Sequence, residues 1–528
     1  MFGKIRELSK NVTIYGLGDV AVSVINFLLL GVYVTYFSLV DYGVITILGG
    51  LEVVAKIVFR FGLDGSFMRF FYESGDEDGR RRLASTIFFF LLALDGAVVL
   101  LLLVAAPSLS QTLLGSHAYA TALRLMLLNT FLIGFTFIPF HVLRMERRTV
   151  TFSLLTLVRS LLTIVVRLVL VMKLHMGLTG LFLADVLVTL TILALLARWF
   201  LPLIRPMFST TVLRDALAFG LPRVPHAAAQ QIIAVGDKFI LTMFATLENI
   251  AVYGMAVSFG LTQKLFLSAF ESAWAPFYYQ TIREPDAPRV FRTVTTYGIA
   301  VLALLTAGLS AIGRLAAEAM THGRLLAPDD PRWSDVSTVI AWTAIGVFLQ
   351  GFYLLTSIGL NITRRTQFYP IATMTAAATN IGLNFLLIPR YGIVGAAWAN
   401  GAAYAVQAAL GYMFSQRFYP VSYEWGRIAS VCAAATAAYV AARLLPSFHL
   451  AVNARSSLAP VPDLLMRGLT VIVVFGGLLA VTGFFHAEEL RGLRSLRRRS
   501  GPAPATTHPP DSTEMAGEIV ATDIGEPE

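Results

Sequence analysis

Fourteen ionisable side chains sit inside long apolar runs of this 528-residue sequence, and any chemistry it performs should involve them. Eight are cations (Lys56, Arg60, Arg124, Arg159, Arg167, Arg223, Lys238, Lys264) and six are acids (Asp19, Glu52, Asp95, Asp185, Asp237, Glu271). A charge at the middle of a bilayer costs roughly 2.5 kcal/mol or more even on lenient insertion scales, so it faces a partner or a watery cavity. Glu52, Lys56 and Arg60 are spaced by four, which keeps them on one helix face with a drift of about 40° per step. Glu52 and Lys56 can pair at i,i+4, leaving Arg60 a free cation, or one that snorkels to the membrane surface. A second polar run follows Pro222 and Pro225, which should distort their helix. It comprises Arg223, His226, Gln230, Gln231, and the adjacent Asp237 and Lys238, which must point to different faces. Lys264 and Glu271 lie on the next helix, whereas Asp19, Asp95 and Asp185 read as isolated acids, each a packing partner or a coupling-ion site.

A mixed-charge interior with surplus cations suits a polar, anionic ligand, because Arg and Lys are the usual partners of phosphate oxygens. Lys56, Arg60, Arg223 and Lys264 are therefore the candidate head-group contacts. Asp19, Glu52, Gln230, Gln231, Asp237, Lys238 and Glu271 are candidate cavity or coupling residues. No catalytic residue, cofactor or bound metal is expected; a coupling ion, H⁺ or Na⁺, is left open. The lone Cys432 rules out an internal disulfide and a Cys-based metal site, and reads as inert packing. The eight histidines form no metal-ligand spacing, and no nucleotide-binding motif is present.

The elements that must carry these residues follow from composition. Hydrophobic residues make up 56% of the chain and charged residues only 14%, against about a quarter in soluble domains. Such a chain needs lipid as its solvent. About twenty apolar residues cross a bilayer as a helix, and helices satisfy their own backbone polar groups in lipid. Fourteen spans are expected, at 12–36, 44–63, 84–106, 120–143, 152–172, 178–200, 217–244, 249–275, 293–313, 336–358, 367–388, 393–414, 427–445 and 466–486. The fold class is thus an all-α integral membrane protein. Of the 41 Lys and Arg residues, 25 fall in loops on one side and 8 on the other; the rest are embedded. The basic side is expected to be cytoplasmic and to hold both termini. The basic patch seen by net charge, +9, lies at the ends of apolar runs, which argues against nucleic acid. The apolar run after Met1–Lys10 is too long for a signal peptide, and the sequons at Asn11 and Asn361 read as chance matches on the cytoplasmic side.

An internal repeat organises the spans. Arg147-Arg148-Thr149 recurs as Arg364-Arg365-Thr366, and Gly177-Leu178-Thr179-Gly180 with Ala184-Asp185 recurs as Gly392-Ile393-Val394-Gly395 with Ala399-Asn400. The alternative is that such glycine patterns recur wherever helices pack closely. Weaker echoes pair Tyr15-Gly16-Leu17 with Phe219-Gly220-Leu221 and Phe71-Tyr72 with Phe277-Tyr278. An offset of about 210 residues is six spans, an even number, so the two copies run parallel. The expected domains are a six-helix lobe over 1–210, a second over 211–416, two additional helices over 417–490, and a basic then Pro-rich disordered tail over 491–528. Repeats of this kind place a substrate site between lobes that rock against each other.

Several segments are similar to those of the polysaccharide flippases, the O-antigen and exopolysaccharide branch of the multidrug/oligosaccharidyl-lipid/polysaccharide exporter superfamily. Asn380…Asn384-Phe385-Leu386-Leu387-Ile388-Pro389 followed by Tyr391–Ala399 resembles their eleventh-to-twelfth helix signature. Asp237–Leu241, Trp274–Phe277 and Phe37–Gly43 resemble other segments, while Ala251 stands where the family usually has Gly. The resemblance implies two six-helix lobes around a hydrophilic cavity lined mainly by helices one, two, seven and eight. It also implies transfer of an undecaprenyl-diphosphate-linked glycan between leaflets of the bacterial cytoplasmic membrane, with membrane lipid and polysaccharide polymerase machinery as partners. Competing readings are a cation-coupled multidrug exporter of the same fold, which would need acids to dominate its cavity, a many-span polysaccharide polymerase or ligase, and a scramblase or accessory subunit.

Overall fold

A computed structural model describes residues 36–446, except 75, 147, 283, 322–325 and 328, together with 460–486. Asp19, the first expected span as far as residue 35 and the tail from residue 491 lie outside the described residues. No strand occurs among the described residues. The helices begin with α1 (Leu39–Val58), α2 (Leu63–Glu73), α3 (Glu77–Leu114), α4 (Ala120–Gly134), α5 (Phe137–Met145), α6 (Thr149–Leu168) and α7 (Gly177–Phe200). They continue as α8 (Thr210–Gly220), α9 (Val224–Phe244), α10 (Leu247–Gly260), α11 (Lys264–Thr281), α12 (Ala287–Thr321), α13 (Arg332–Thr356) and α14 (Ile358–Ile362). The last are α15 (Phe368–Phe418), α16 (Trp425–Leu444) and α17 (Val461–Val481).

Local chemistry sets several boundaries. α1 opens on a capping box: the Asp41 amide donates to the Ser38 hydroxyl at 3.1 Å and the Ser38 amide to the Asp41 carboxylate at 3.0 Å. It stops where Phe61 and Gly62 take φ of 47° and 72°, and restarts as α2. α8 and α9 are separated by one 3₁₀ turn, Leu221–Arg223, so Pro222 and Pro225 do break the seventh span as expected. α17 begins five residues earlier than expected, at the prolines Pro460 and Pro462, and ends before Gly483 at φ 67°.

Among the described residues, eleven helical stretches are long and apolar enough to cross a membrane. One of them, α15, has 51 residues, about 77 Å at 1.5 Å per residue, more than twice a hydrocarbon core of about 30 Å. Gly392, at φ 54° and ψ −132°, folds it into two antiparallel spans. α9 is a further helix, made less apolar by Gln230, Gln231, Asp237 and Lys238. With these, every expected span beyond the first has a helix; the first, and with it the count of fourteen, lies outside the described residues.

The repeat is visible in the backbone. Gly177 and Gly392, 215 residues apart, both open their spans at positive φ, 55° and 54°, which glycine adopts without Cβ strain. Three residues on, Gly180 and Gly395 each lie against a carbonyl of the preceding helix, Leu170 and Leu387. The following Asp185 and Asn400 then face polar partners inside their own halves. α16 and α17 attach to α12, whose Ile299, Ala303 and Ala307 share one core with Val431, Ala434 and Ala438 of α16 and with Val471 and Phe475 of α17. Cys432 is not part of that core: it sits on the exposed side of α16.

The halves meet along α1 and α10 on the side away from the basic loops. Val44, Ile47 and Leu48 of α1 share a core with Ile250, Ala251 and Tyr253 of α10 and Val336 and Ile340 of α13. The helices come this close because two positions lack side chains. A Cβ on Gly43 would overlap the Leu247 carbonyl, and one on Gly254 would overlap the Thr46 side chain. Overpacking costs about 1–3 kcal/mol, enough to shift a two-state ratio roughly tenfold. Gly43→Val should therefore populate a state with this seam open. Electron-resonance distances between labels at residues 36 and 248 should gain a longer component; an unchanged distribution would show that the seam does not set this conformation.

Candidate functional site

Most embedded charges of the first half fall into one polar cluster between α1, α6 and α7. Lys56 Nζ lies 2.6 Å from Glu52, as the spacing suggested. Arg60 is not the free cation expected: its Nη1 pairs with Asp64 at 3.0 Å, one further i,i+4 step along the chain. Asp185 is not isolated either. Arg167 of α6 donates to both its oxygens, Nε at 2.9 Å and Nη2 at 2.8 Å, in the planar bidentate geometry that suits this pair. Arg159, about two turns before Arg167 on the same helix face, lies within electrostatic range of Asp185, Glu52 and Arg60. Each of those acids already serves another cation, so Arg159 has no hydrogen-bonding acid among the described residues.

The direction of these side chains matters. Gly43, Thr46 and Gly50 mark the α1 face that touches α9 and α10. At 100° per residue, Glu52 is about 150° round the helix from that face and Lys56 about 110°. They point into their own half, not across the seam. α6 is similarly two-faced. Leu154, Leu157, Leu161 and Val165 are exposed along one side, as lipid-facing residues are, while Thr156, Arg159, Ser160, Thr163 and Arg167 line the other. Arg124, at the end of α4, is exposed and donates to the Leu103 carbonyl at 3.1 Å, an interfacial role. Asp95 is buried in α3 with one oxygen unpartnered.

Arg223 stands apart, at the break between α8 and α9. Its guanidinium stacks on Phe219 at 3.9 Å, a ring that Arg69 of α2 also covers at 4.5 Å. A Cβ on Gly65 would lie 3.1 Å from Arg223 Nη1, so this cation spans the junction of α2 with the seventh span.

The second half holds its own polar interior. Asp237 is 2% exposed, and its carboxylate accepts from the Tyr253 hydroxyl, the Lys238 amide at 2.8 Å and Asn400 Nδ2 at 3.4 Å. Asn380 and Asn384 of α15 are fully buried nearby: Asn384 Nδ2 donates to Asn380 Oδ1 at 2.9 Å, which lies 3.8 Å from where a Gly236 Cβ would be. Asn380 Nδ2 and Asn384 Oδ1 are left without partners. Lys238 points elsewhere, its stem against Gly50 of α1. Lys264 feels Glu271 and Lys238 without a close ion pair to either. Gln230 and Gln231 are half-buried on α9, and Glu271 is exposed on α11. The structure thus divides the candidate cations: Lys56 and Arg60 sit in the first half's cluster, Arg223 at the junction, and Lys264 in the second half.

Asp64 was legible from the same four-residue spacing that revealed Glu52 and Lys56. Tyr253 was not, because its contact with Asp237 joins two helices. No group of three or more His, Cys, Asp or Glu suited to a metal ion occurs among the described residues.

Comparison with known proteins places this arrangement. No curated protein sequence matches the chain. Its fold is shared by a multidrug resistance MATE family transporter of the MOP superfamily in an inward-facing conformation, at 17% identity and a TM-score of 0.61, over 80% of this chain and 95% of that one. The lipid II flippase MurJ, in an inward closed conformation, is similar at 17% identity and a TM-score of 0.59, over 85% and 98%. A MOP superfamily transporter from Pyrococcus furiosus, described by the reverse polarity of its binding pocket, is similar at 16% identity and 0.56, over 80% and 96%. Residues 37–320, more than half of the chain, match the model of one family. With its resembling motifs and shared fold, the chain belongs to the polysaccharide biosynthesis protein family.

Proposed function

We propose that this protein is a flippase that carries a lipid-diphosphate-linked oligosaccharide from the inner to the outer leaflet of a bacterial cytoplasmic membrane by alternating access. The observation that carries the reading is a charged interior with surplus cations, held inside a chain that is otherwise lipid-soluble. A diphosphate with its sugars would lose its hydration in hydrocarbon, at a cost of tens of kcal/mol by Born solvation. Cations and hydroxyls lining the interior replace the lost water, while an undecaprenyl tail stays in the bilayer. Both termini would be cytoplasmic, and the polymerase machinery of the polysaccharide would receive the product at the outer leaflet. The role of the lipid II flippase as a structural neighbour supports this reading. The similarity to a multidrug transporter supports the competing one, export of a cationic drug. The pairing of Glu52, Asp64 and Asp185 with cations favours the first, because it commits these three acids of the first half to the protein's own cations instead of a cationic drug.

Asp237 is the proposed coupling site. A buried carboxylate that already gathers a tyrosine hydroxyl and an asparagine amide around it offers oxygen ligands to a proton or to Na⁺.

Two outcomes test these proposals. In cells whose only candidate flippase is this chain, its depletion should trap lipid-linked glycan on the cytoplasmic leaflet, read by leaflet-resolved labelling. Normal appearance outside, with drug sensitivity raised, would overturn the flippase reading in favour of drug export. Asp237→Asn should remove the dependence of transfer rate on an imposed ion gradient; applying Na⁺ and H⁺ gradients separately identifies the ion. A variant that still responds to either gradient would exclude Asp237 as the coupling group.

A further inference from the structure

The surplus cation of the first half has a setting of its own. In the cluster between α1, α6 and α7, Glu52 is held by Lys56 at 2.6 Å, Asp64 by Arg60 at 3.0 Å, and Asp185 by Arg167 through two hydrogen bonds. Three acids thus serve three cations, and Arg159 is the fourth cation. A guanidinium cannot shed its proton, so an embedded one either stays wet or finds an anion.

Its neighbours on α6 are hydroxyls. Thr156 Oγ1 donates to the Phe152 carbonyl at 2.9 Å, Ser160 Oγ to the Thr156 carbonyl at 3.1 Å, and Thr163 Oγ1 to the Arg159 carbonyl at 2.8 Å. Each hydroxyl has spent its only proton on its own helix, which leaves its oxygen lone pairs facing outward as acceptors. Sugar hydroxyl groups both donate and accept, and these oxygens can take their protons. The stripe lies about 150° round α6 from the exposed Leu154, Leu157, Leu161 and Val165, so it turns away from lipid. Thr156 is nonetheless exposed, so its hydroxyl is not packed against another helix. A Cβ on Gly49 of α1, on the same side as Glu52 and Lys56, would meet nothing within 4 Å.

We propose that Arg159, flanked by Thr156, Ser160 and Thr163, forms an oxyanion-and-sugar subsite within the first half, selecting a lipid-linked glycan that presents an acidic group beside free hydroxyls. This rests on the flippase reading. The oxyanion is either a sugar carboxylate or the lipid diphosphate, and both would take the same fork of guanidinium donors.

The test uses full-length protein in nanodiscs and three probes: undecaprenyl diphosphate, the same lipid carrying a neutral disaccharide, and the same lipid carrying a disaccharide with one uronic acid. Arg159→Gln removes a charge-assisted hydrogen bond, for which roughly a tenfold or larger loss of affinity is expected. Loss for all three probes identifies the diphosphate as the oxyanion; loss for the uronate probe alone identifies the sugar carboxylate. Thr156→Val with Ser160→Ala, which keeps every charge and serves if Arg159→Gln does not fold, should weaken the two sugar-bearing probes and leave undecaprenyl diphosphate unchanged. Wild-type binding that both variants leave intact would overturn the subsite alone. Recovery of Arg159→Gln by a second change, Asp19→Asn, would also overturn it, because Arg159 would then be a counter-ion. Wild-type protein that binds none of the probes would overturn the subsite together with the flippase reading.

Discussion

The cost of an unpaired charge in hydrocarbon governs how this protein is built. A chain that is 56% hydrophobic could fold in a bilayer with no charge inside, yet charged side chains lie within its helices, paired or hydrogen-bonded. Each must be offset by a partner or by water. The first half does this with one short-range pair on α1, another between the end of α1 and the start of α2, and one long-range bidentate pair between α6 and α7. The second half does it by hydrogen bonding a single buried acid, Asp237, to a tyrosine, an asparagine and a backbone amide. Replacing one member of such a pair leaves the other to be solvated by water or by another partner. The polar interior is therefore fixed in place by the same energetics that make it costly.

Duplication explains why the interior has two parts. Gly177 and Gly392 open equivalent spans with the same backbone conformation, and Asp185 and Asn400 occupy equivalent positions after them. Their environments have diverged. Asp185 meets a cation from the neighbouring span, whereas Asn400 reaches an acid on α9 and the Ile233 carbonyl. The backbone geometry is shared while the charge is distributed differently in the two halves. Between them, the glycine seam of α1 and α10 lets the two helices approach closely, Gly43 against the Leu247 carbonyl and Gly254 against Thr46.

Much of this was legible in the sequence. Apolar runs separated by basic loops marked the spans because lipid demands both, and the four-residue spacing of Glu52 and Lys56 marked a real pair. The same rule extended one step would have found Asp64 and corrected the reading of Arg60 as free. The partnership of Arg167 with Asp185 lies 18 residues apart across a turn, and Tyr253 meets Asp237 across 16; no local periodicity encodes either. The cationic set was read as one surface because charge alone carries no direction. Helix phase supplies the direction, and it turns Glu52 and Lys56 away from the seam into their own half.

The most direct measurement of the central claim is transfer of a fluorescent undecaprenyl-diphosphate-linked glycan across liposomes containing only the purified protein. The account predicts that label becomes accessible to a membrane-impermeant quencher at a rate set by protein density, and that transfer fails when α1 and α10 are cross-linked across their seam. Transfer no faster than in protein-free liposomes, under either a proton or a sodium gradient, would contradict it.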